Sequence, residues 1–82
     1  MRLDKFLQVS RIVKRRTVAN AVCSSGKILV NGQRAKAGKE LAVGDVLTVT
    51  FREDSEQVLE IVEIPSGNVS RDRVPTLYRV LR

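Results

Sequence analysis

Gly26-Lys27-Ile28-Leu29-Val30-Asn31-Gly32-Gln33-Arg34-Ala35-Lys36 carries the most decisive local pattern in this 82-residue sequence. Ile28-Leu29-Val30 is a short apolar run, and Asn31-Gly32 is the dipeptide best suited to a type I′ turn, because both central residues of that turn need positive φ. A β-hairpin of residues 27–30 against 33–36 is therefore expected. Gly26, just ahead of it, fits the left-handed position that ends a helix.

On the N-terminal side, Val18, Ala21, Val22 and Ser25 follow a helical stripe that runs into Gly26, with Thr17 placed as the N-cap. Residues 11–16 form a basic connector. Before it, Leu3, Phe6 and Leu7 recur at helical spacing with Asp4, Lys5 and Gln8 between them, which describes a short amphipathic helix over residues 3–10. On the C-terminal side, Gly44-Asp45 turns into Val46-Leu47-Thr48-Val49-Thr50-Phe51, where β-branched residues and alternation indicate a strand. A further strand is expected over residues 58–64. Glu60 and Glu63 fall on opposite faces of it, which suggests a bulge or an exposed edge. Residues 65–75 have almost no apolar content and read as a mobile loop, and residues 77–81 return to the sheet. The expected fold class is α+β, with short N-terminal helices on a small, mainly antiparallel sheet. One domain spans residues 1–82, and its β extension begins near residue 52.

A chain of 82 residues with 43% hydrophobic content has material for one modest core. It contains no histidine and one cysteine. That removes the commonest general base, the commonest metal ligand and any internal disulfide, so no catalytic group, zinc site or cofactor is expected. Apolar runs reach only three residues, too short to cross a bilayer, and Arg2, Asp4 and Lys5 interrupt any signal-peptide pattern. A reduced, cytoplasmic, monomeric protein is expected. Cys23 reads as buried and inert.

The charge is uneven. Lys and Arg total 15 against 9 Asp and Glu, a net of +6. Residues 1–40 hold ten basic and two acidic groups, a local net of +8, whereas residues 41–82 hold five and seven, a net of −2. A polyanionic partner on the N-terminal half follows. Arg11, Lys14, Arg15 and Arg16 crowd the start of the second helix, where cations oppose the helix dipole at about 0.3–1 kcal/mol each. Helix stability does not explain them. A phosphate at the helix terminus does, and a solvated charge run is the plainer alternative. Arg2 and Lys5 from the first helix, and Lys27, Arg34 and Lys36 from the hairpin, would widen the same face if the hairpin packs beside the helices. Taken singly, Lys27 and Lys36 are equally ordinary surface lysines. Asp4 is placed to orient a nearby arginine by a bidentate contact. Phe6 and Phe51 sit at apolar positions and read as core, which argues against rows of stacked bases and for reading the backbone shape of folded RNA. Glu53, Asp54 and Glu56 read as solvated.

Arg2-Leu3-Asp4-Lys5-Phe6-Leu7, the basic Lys14-Arg15-Arg16-Thr17, then Gly26-Lys27-Ile28-Leu29-Val30-Asn31-Gly32-Gln33 and Gly44-Asp45 together resemble the S4-type RNA-binding domain over residues 2 to about 51. Within that family the pattern looks like the bacterial RqcP group of ribosome quality control, which is close to the heat-shock ribosome-recycling proteins. The latter usually carry a long basic tail after the domain, and no such tail precedes Arg82. The chain also has Arg15 where many S4-type domains have Ser. The resemblance implies the αL RNA-binding motif and binding to 23S rRNA and tRNA on the large ribosomal subunit. It also implies assistance to an alanine-tailing factor of the RqcH type, which extends stalled nascent chains. The RNA-binding residues would then be Arg2, Lys5, Arg11, Lys14, Arg15, Arg16, Thr17, Lys27, Arg34 and Lys36. Three alternatives stay open: a heat-shock-type factor that rescues stalled large subunits, a detached RNA-binding module of an RNA-modifying enzyme, and a protein-interaction module using the acidic half.

Overall fold

The computed structural model describes the chain apart from Glu53, Asp54, Asn68 and Arg71, with Phe51 and Arg52 described by their backbone alone. The expectations of a buried Phe51, of solvated Glu53 and Asp54, and of loop positions Asn68 and Arg71 lie outside the described residues. Helix α1 (Leu3–Val9) and helix α2 (Arg16–Ser24) lead into strands β1 (Ile28–Val30), β2 (Gln33–Arg34), β3 (Val46–Arg52) and β4 (Ser55–Ile61). A 3-10 turn (Val74–Thr76) and strand β5 (Tyr78–Val80) follow. The five strands form one antiparallel sheet in the order β2-β1-β3-β4-β5.

Asn31 and Gly32 take φ of 53° and 82°, so the tight turn forms as its dipeptide demands, and Val30 pairs with Gln33 across it. The second hairpin strand stops at Arg34, two residues short of expectation. The Asn31 side chain does a second job. Its Oδ1 accepts the Val46 N–H at 3.0 Å and its Nδ2 donates to Asp45 Oδ1 at 3.1 Å, tying the hairpin tip to the start of β3.

Antiparallel partners share a face of the sheet, so the pairs Val30 with Leu47, Leu47 with Leu59 and Ile28 with Val49 align one apolar face. Leu3, Phe6 and Leu7 of α1 cover that face and are fully buried. Helix α2 contributes Ala19 and Cys23. The expected stripe is therefore displaced by one position: Val18 is 48% exposed, Ala21 and Ser25 face solvent, and only Val22 of the four touches the core. Small residues let α2 lie close to its neighbours, and a stripe chosen on hydropathy alone passes over them.

β4 begins and ends three residues earlier than expected, because pairing with β3 fixes its register, and it lies between β3 and β5 rather than at an edge. The irregularity falls in β3, between Thr50 and Arg52. Residues 65–75 are better anchored than their polarity suggests: Pro65 is buried, Val69 packs against the core and Val74–Thr76 forms the 3-10 turn. Leu77 is fully buried, and its carbonyl accepts the N–H groups of Val62 and Glu63.

The loop after β2 returns to the first helix. Leu3 and Asp4 donate their backbone N–H groups to Lys39 and Ala37 carbonyls at 2.8 and 3.1 Å, and Leu41 N–H donates to the Met1 carbonyl. Donors left open at the start of α1 are thus satisfied by a neighbouring segment, without a side-chain cap.

Candidate nucleic-acid interface

Asp4 lies in the first turn of α1 and is 2% exposed. A carboxylate buried to that degree needs partners. The Lys5 N–H donates to its Oδ1 at 2.8 Å. Arg2 meets it through two atoms, Nε to Oδ1 at 3.2 Å and Nη2 to Oδ2 at 3.4 Å, and Arg16 Nε approaches Oδ2 at 3.5 Å from the first turn of α2. Asn20, one helical turn beyond Arg16, adds a side-chain hydrogen bond. Burial pushes this carboxyl up, but the Lys5 N–H, the two guanidinium charges and Asn20 together overcome it and hold it below its usual value of 3.8. Each guanidinium spends part of its donors on Asp4, and both arginine side chains remain 49% exposed.

Two cavities share these arginines. One, of about 530 Å³, is lined by Arg2, Asp4, Arg16, Thr17 and Asn20. The other, of about 490 Å³, lies among Arg2, Lys5, Arg16 and residues 64–67. Thr17 reaches the site from within the first turn of α2, not as its cap. The helix starts at Arg16, Arg15 is the N-cap, and no side chain caps it. Arg15 and Lys14 stand exposed on the connector, and so does Arg11, whose φ of 63° reverses the chain after α1.

Arg34 and Lys36 form a second group. They line a cavity of about 550 Å³ against the last turn of α2, where a Cβ at Gly26 would lie 3.5 Å from the Arg34 guanidinium. Gly38 joins the two groups: it borders this cavity, and a Cβ on it would lie 3.8 Å from Arg2 Nη2. Lys27 is exposed at the entry to β1 and borders none of these cavities. The hairpin thus brings Arg34 and Lys36 to the helices and leaves Lys27 apart.

Among the described residues, the ion pairs divide the molecule. In the C-terminal half, Glu63 pairs with Arg73 at 2.7 Å, Glu60 with Arg79, and Glu56 with Arg82 at 3.3 Å. In the N-terminal half, Arg11, Lys14, Arg15, Lys27, Arg34 and Lys36 pair with none of the described carboxylates.

The sequence reading missed Asn20, Gly38 and residues 64–67. Asn20 had a signal, since it stands four residues after Arg16 on one helix face. Residues 64–67 had none. Cys23 is buried as expected, and burial, with the Asp4 charge beside it, pushes its thiol up to about 11.

The family model of the S4 domain matches residues 1–47, more than half of the chain. The chain belongs to the S4 domain family. Among S4 domain proteins it is 49% identical to an RQC P-site tRNA stabilizing factor of Halalkalibacterium halodurans, covering 98% of this chain and 89% of that protein. It is 40% identical to the Bacillus subtilis protein of the same name, covering 100% and 93%. Among solved structures, the trimeric Heat Shock Protein 15 of Vibrio cholerae superposes with a TM-score of 0.89 at 33% identity, covering 99% of this chain and 81% of that one. The S4 domain match ends within β3, so β4, the 3-10 turn and β5 lie beyond it.

Proposed function

We propose that this chain is an RNA-binding accessory factor of ribosome quality control, which holds 23S rRNA and the P-site tRNA together on the large ribosomal subunit. There it assists an alanine-tailing factor of the RqcH type. The observation that carries the reading is the separation of charge: the described C-terminal ion pairs neutralise Arg73, Arg79 and Arg82, while the cations of the helices, connector and hairpin keep donors for an outside anion. Arg2 and Arg16, held by one carboxylate, form its centre. Lys5, Thr17, Arg11, Lys14 and Arg15 flank that pair, and Arg34, Lys36 and Lys27 extend the face along the hairpin. Two 49% and 40% identical relatives named as P-site tRNA stabilizing factors support the tRNA assignment.

In this mechanism phosphate contacts supply affinity and position, and selectivity comes from RNA shape and from engaging two RNAs together. The protein performs no chemistry of its own and acts in the cytoplasm as a monomer that the ribosome captures. Crosslinking in cells, followed by mapping of the bound RNA, tests this. Crosslinks to both 23S rRNA and tRNA are expected, and crosslinks to messenger RNA alone overturn it.

A further inference from the structure

The cavity of about 490 Å³ beside the arginine pair has a lining of two unlike parts. One is cationic, made by Arg2, Lys5 and Arg16. Glu40 on its rim is engaged by the Met1 ammonium at 2.9 Å and also bridges to Arg2 through the backbone. The other part of the lining comes from residues 64–67, beyond the stretch matched by the S4 domain. Ile64 is half-buried and Pro65 buried, so this part of the lining is apolar, and exposed Ser66 stands next to them. The chain is tied down just before this stretch, because the N–H groups of Val62 and Glu63 both donate to the Leu77 carbonyl, at 2.8 and 3.1 Å. A Cβ on Gly67 would meet nothing within 4 Å, so the space beside Gly67 is open.

We propose that this cavity takes one unpaired ribonucleotide of the bound RNA. Its phosphate sits on Arg2 and Arg16, its base rests against Ile64 and Pro65, and its sugar lies at Ser66. The volume is within the roughly 300–1,000 Å³ of small-molecule sites, enough for a single nucleotide unit. An unpaired nucleotide can leave its neighbours and present base and sugar together, whereas a paired one inside an A-form duplex offers only its backbone and a shallow groove. An aliphatic base contact also suits a chain with 4% aromatic residues. Residues 64–67, which follow β4, thereby become part of the RNA site. This inference rests on the RNA-binding reading above and assigns it a specific subsite.

The test uses the full chain, labelled for NMR, with two probes: a hairpin RNA with a single-stranded loop, and the blunt duplex of its stem. The hairpin should shift the Arg16, Ser66 and Gly67 amides and the Ile64 methyl groups, and the duplex should shift Arg16 but not residues 64–67. Affinity for the hairpin RNA is then compared for Ser66→Glu, Arg16→Ala and Ser55→Glu, the last placing the same charge at the far end of β4. Ser66→Glu should weaken hairpin binding by about tenfold or more through repulsion of phosphate, with an unchanged melting temperature, and Ser55→Glu should not weaken it. If both RNAs shift Arg16 and neither shifts residues 64–67, or if Ser66→Glu binds as well as the parent while Arg16→Ala does not, the nucleotide pocket is wrong and the RNA-binding reading stands. If neither RNA shifts Arg16 and Arg16→Ala binds normally, both are overturned.

Discussion

Asp4 couples folding to the proposed binding face, and its neighbours decide what substitutions do. Its folded carboxyl titrates below the usual value of 3.8. It therefore contributes stability that is fully present above the unfolded value and is lost as pH falls through the lower, folded value. Acid titration of thermal stability should show a drop below about pH 4, much reduced in Asp4→Asn. Arg16 is not the purely functional cation that its position before a helix suggests, since it lies 3.5 Å from that buried carboxylate. Arg16→Glu should lower stability on the order of 1–2 kcal/mol, by removing a charged contact and adding repulsion. Calorimetry would register this as a lower melting temperature, alongside lost RNA binding. Arg16→Ala, without the added charge, separates the two effects better. That Asp4 would orient an arginine was legible in its local surroundings. That Arg16 joins Arg2 was not, because the contact spans 12 positions and depends on how α1 meets α2. Cys23, with its thiol near 11, should react slowly with a maleimide at pH 8 and rapidly only after unfolding.

At the scale of elements, the hairpin was legible because its signal is local: Asn31 and Gly32 carry both the required φ values and the turn chemistry. Asn31→Ala should cost about 1–3 kcal/mol in chemical denaturation, since it removes the link to Val46 and Asp45 and strains a left-handed position. Gly32→Ala should cost about 1 kcal/mol. An Asn31→Ala loss no larger than that of Gly32→Ala would mean that the side-chain link contributes nothing. The limits of β4 and the buried face of α2 were not legible, because both follow from what lies across the sheet. Leu59 is set by its pairing with Leu47, and Ala19 and Cys23 are buried by proximity to α1 and the sheet, not by their own hydropathy. Residues 65–75 read as mobile because polarity hides an anchor as small as Pro65.

For the whole molecule, segregated charge predicts how affinity responds to salt. If about five to eight phosphates are engaged, each releasing counterions at about 0.7–0.9, log K should fall against log salt with a slope steeper than about −3. A slope between zero and about −2 would exclude a phosphate-dominated mode. Arg82→Glu, in the ion-paired half, should leave RNA affinity nearly unchanged. The two helices that carry the face are anchored very differently. Leu3, Phe6 and Leu7 each gain about 1.5–3 kcal/mol from burial, whereas α2 is held by Ala19, Cys23 and a half-buried Val22, smaller apolar surfaces. Opening α2 is then less costly than opening α1. Its amides should exchange with deuterated solvent sooner than those of α1, and RNA should slow them, because the proposed site has Arg16 and Thr17 gripped from outside. On the proposed RNA site, the helix that would receive the RNA is thus the one whose motion the RNA would quench, and part of the binding free energy would be spent on that ordering.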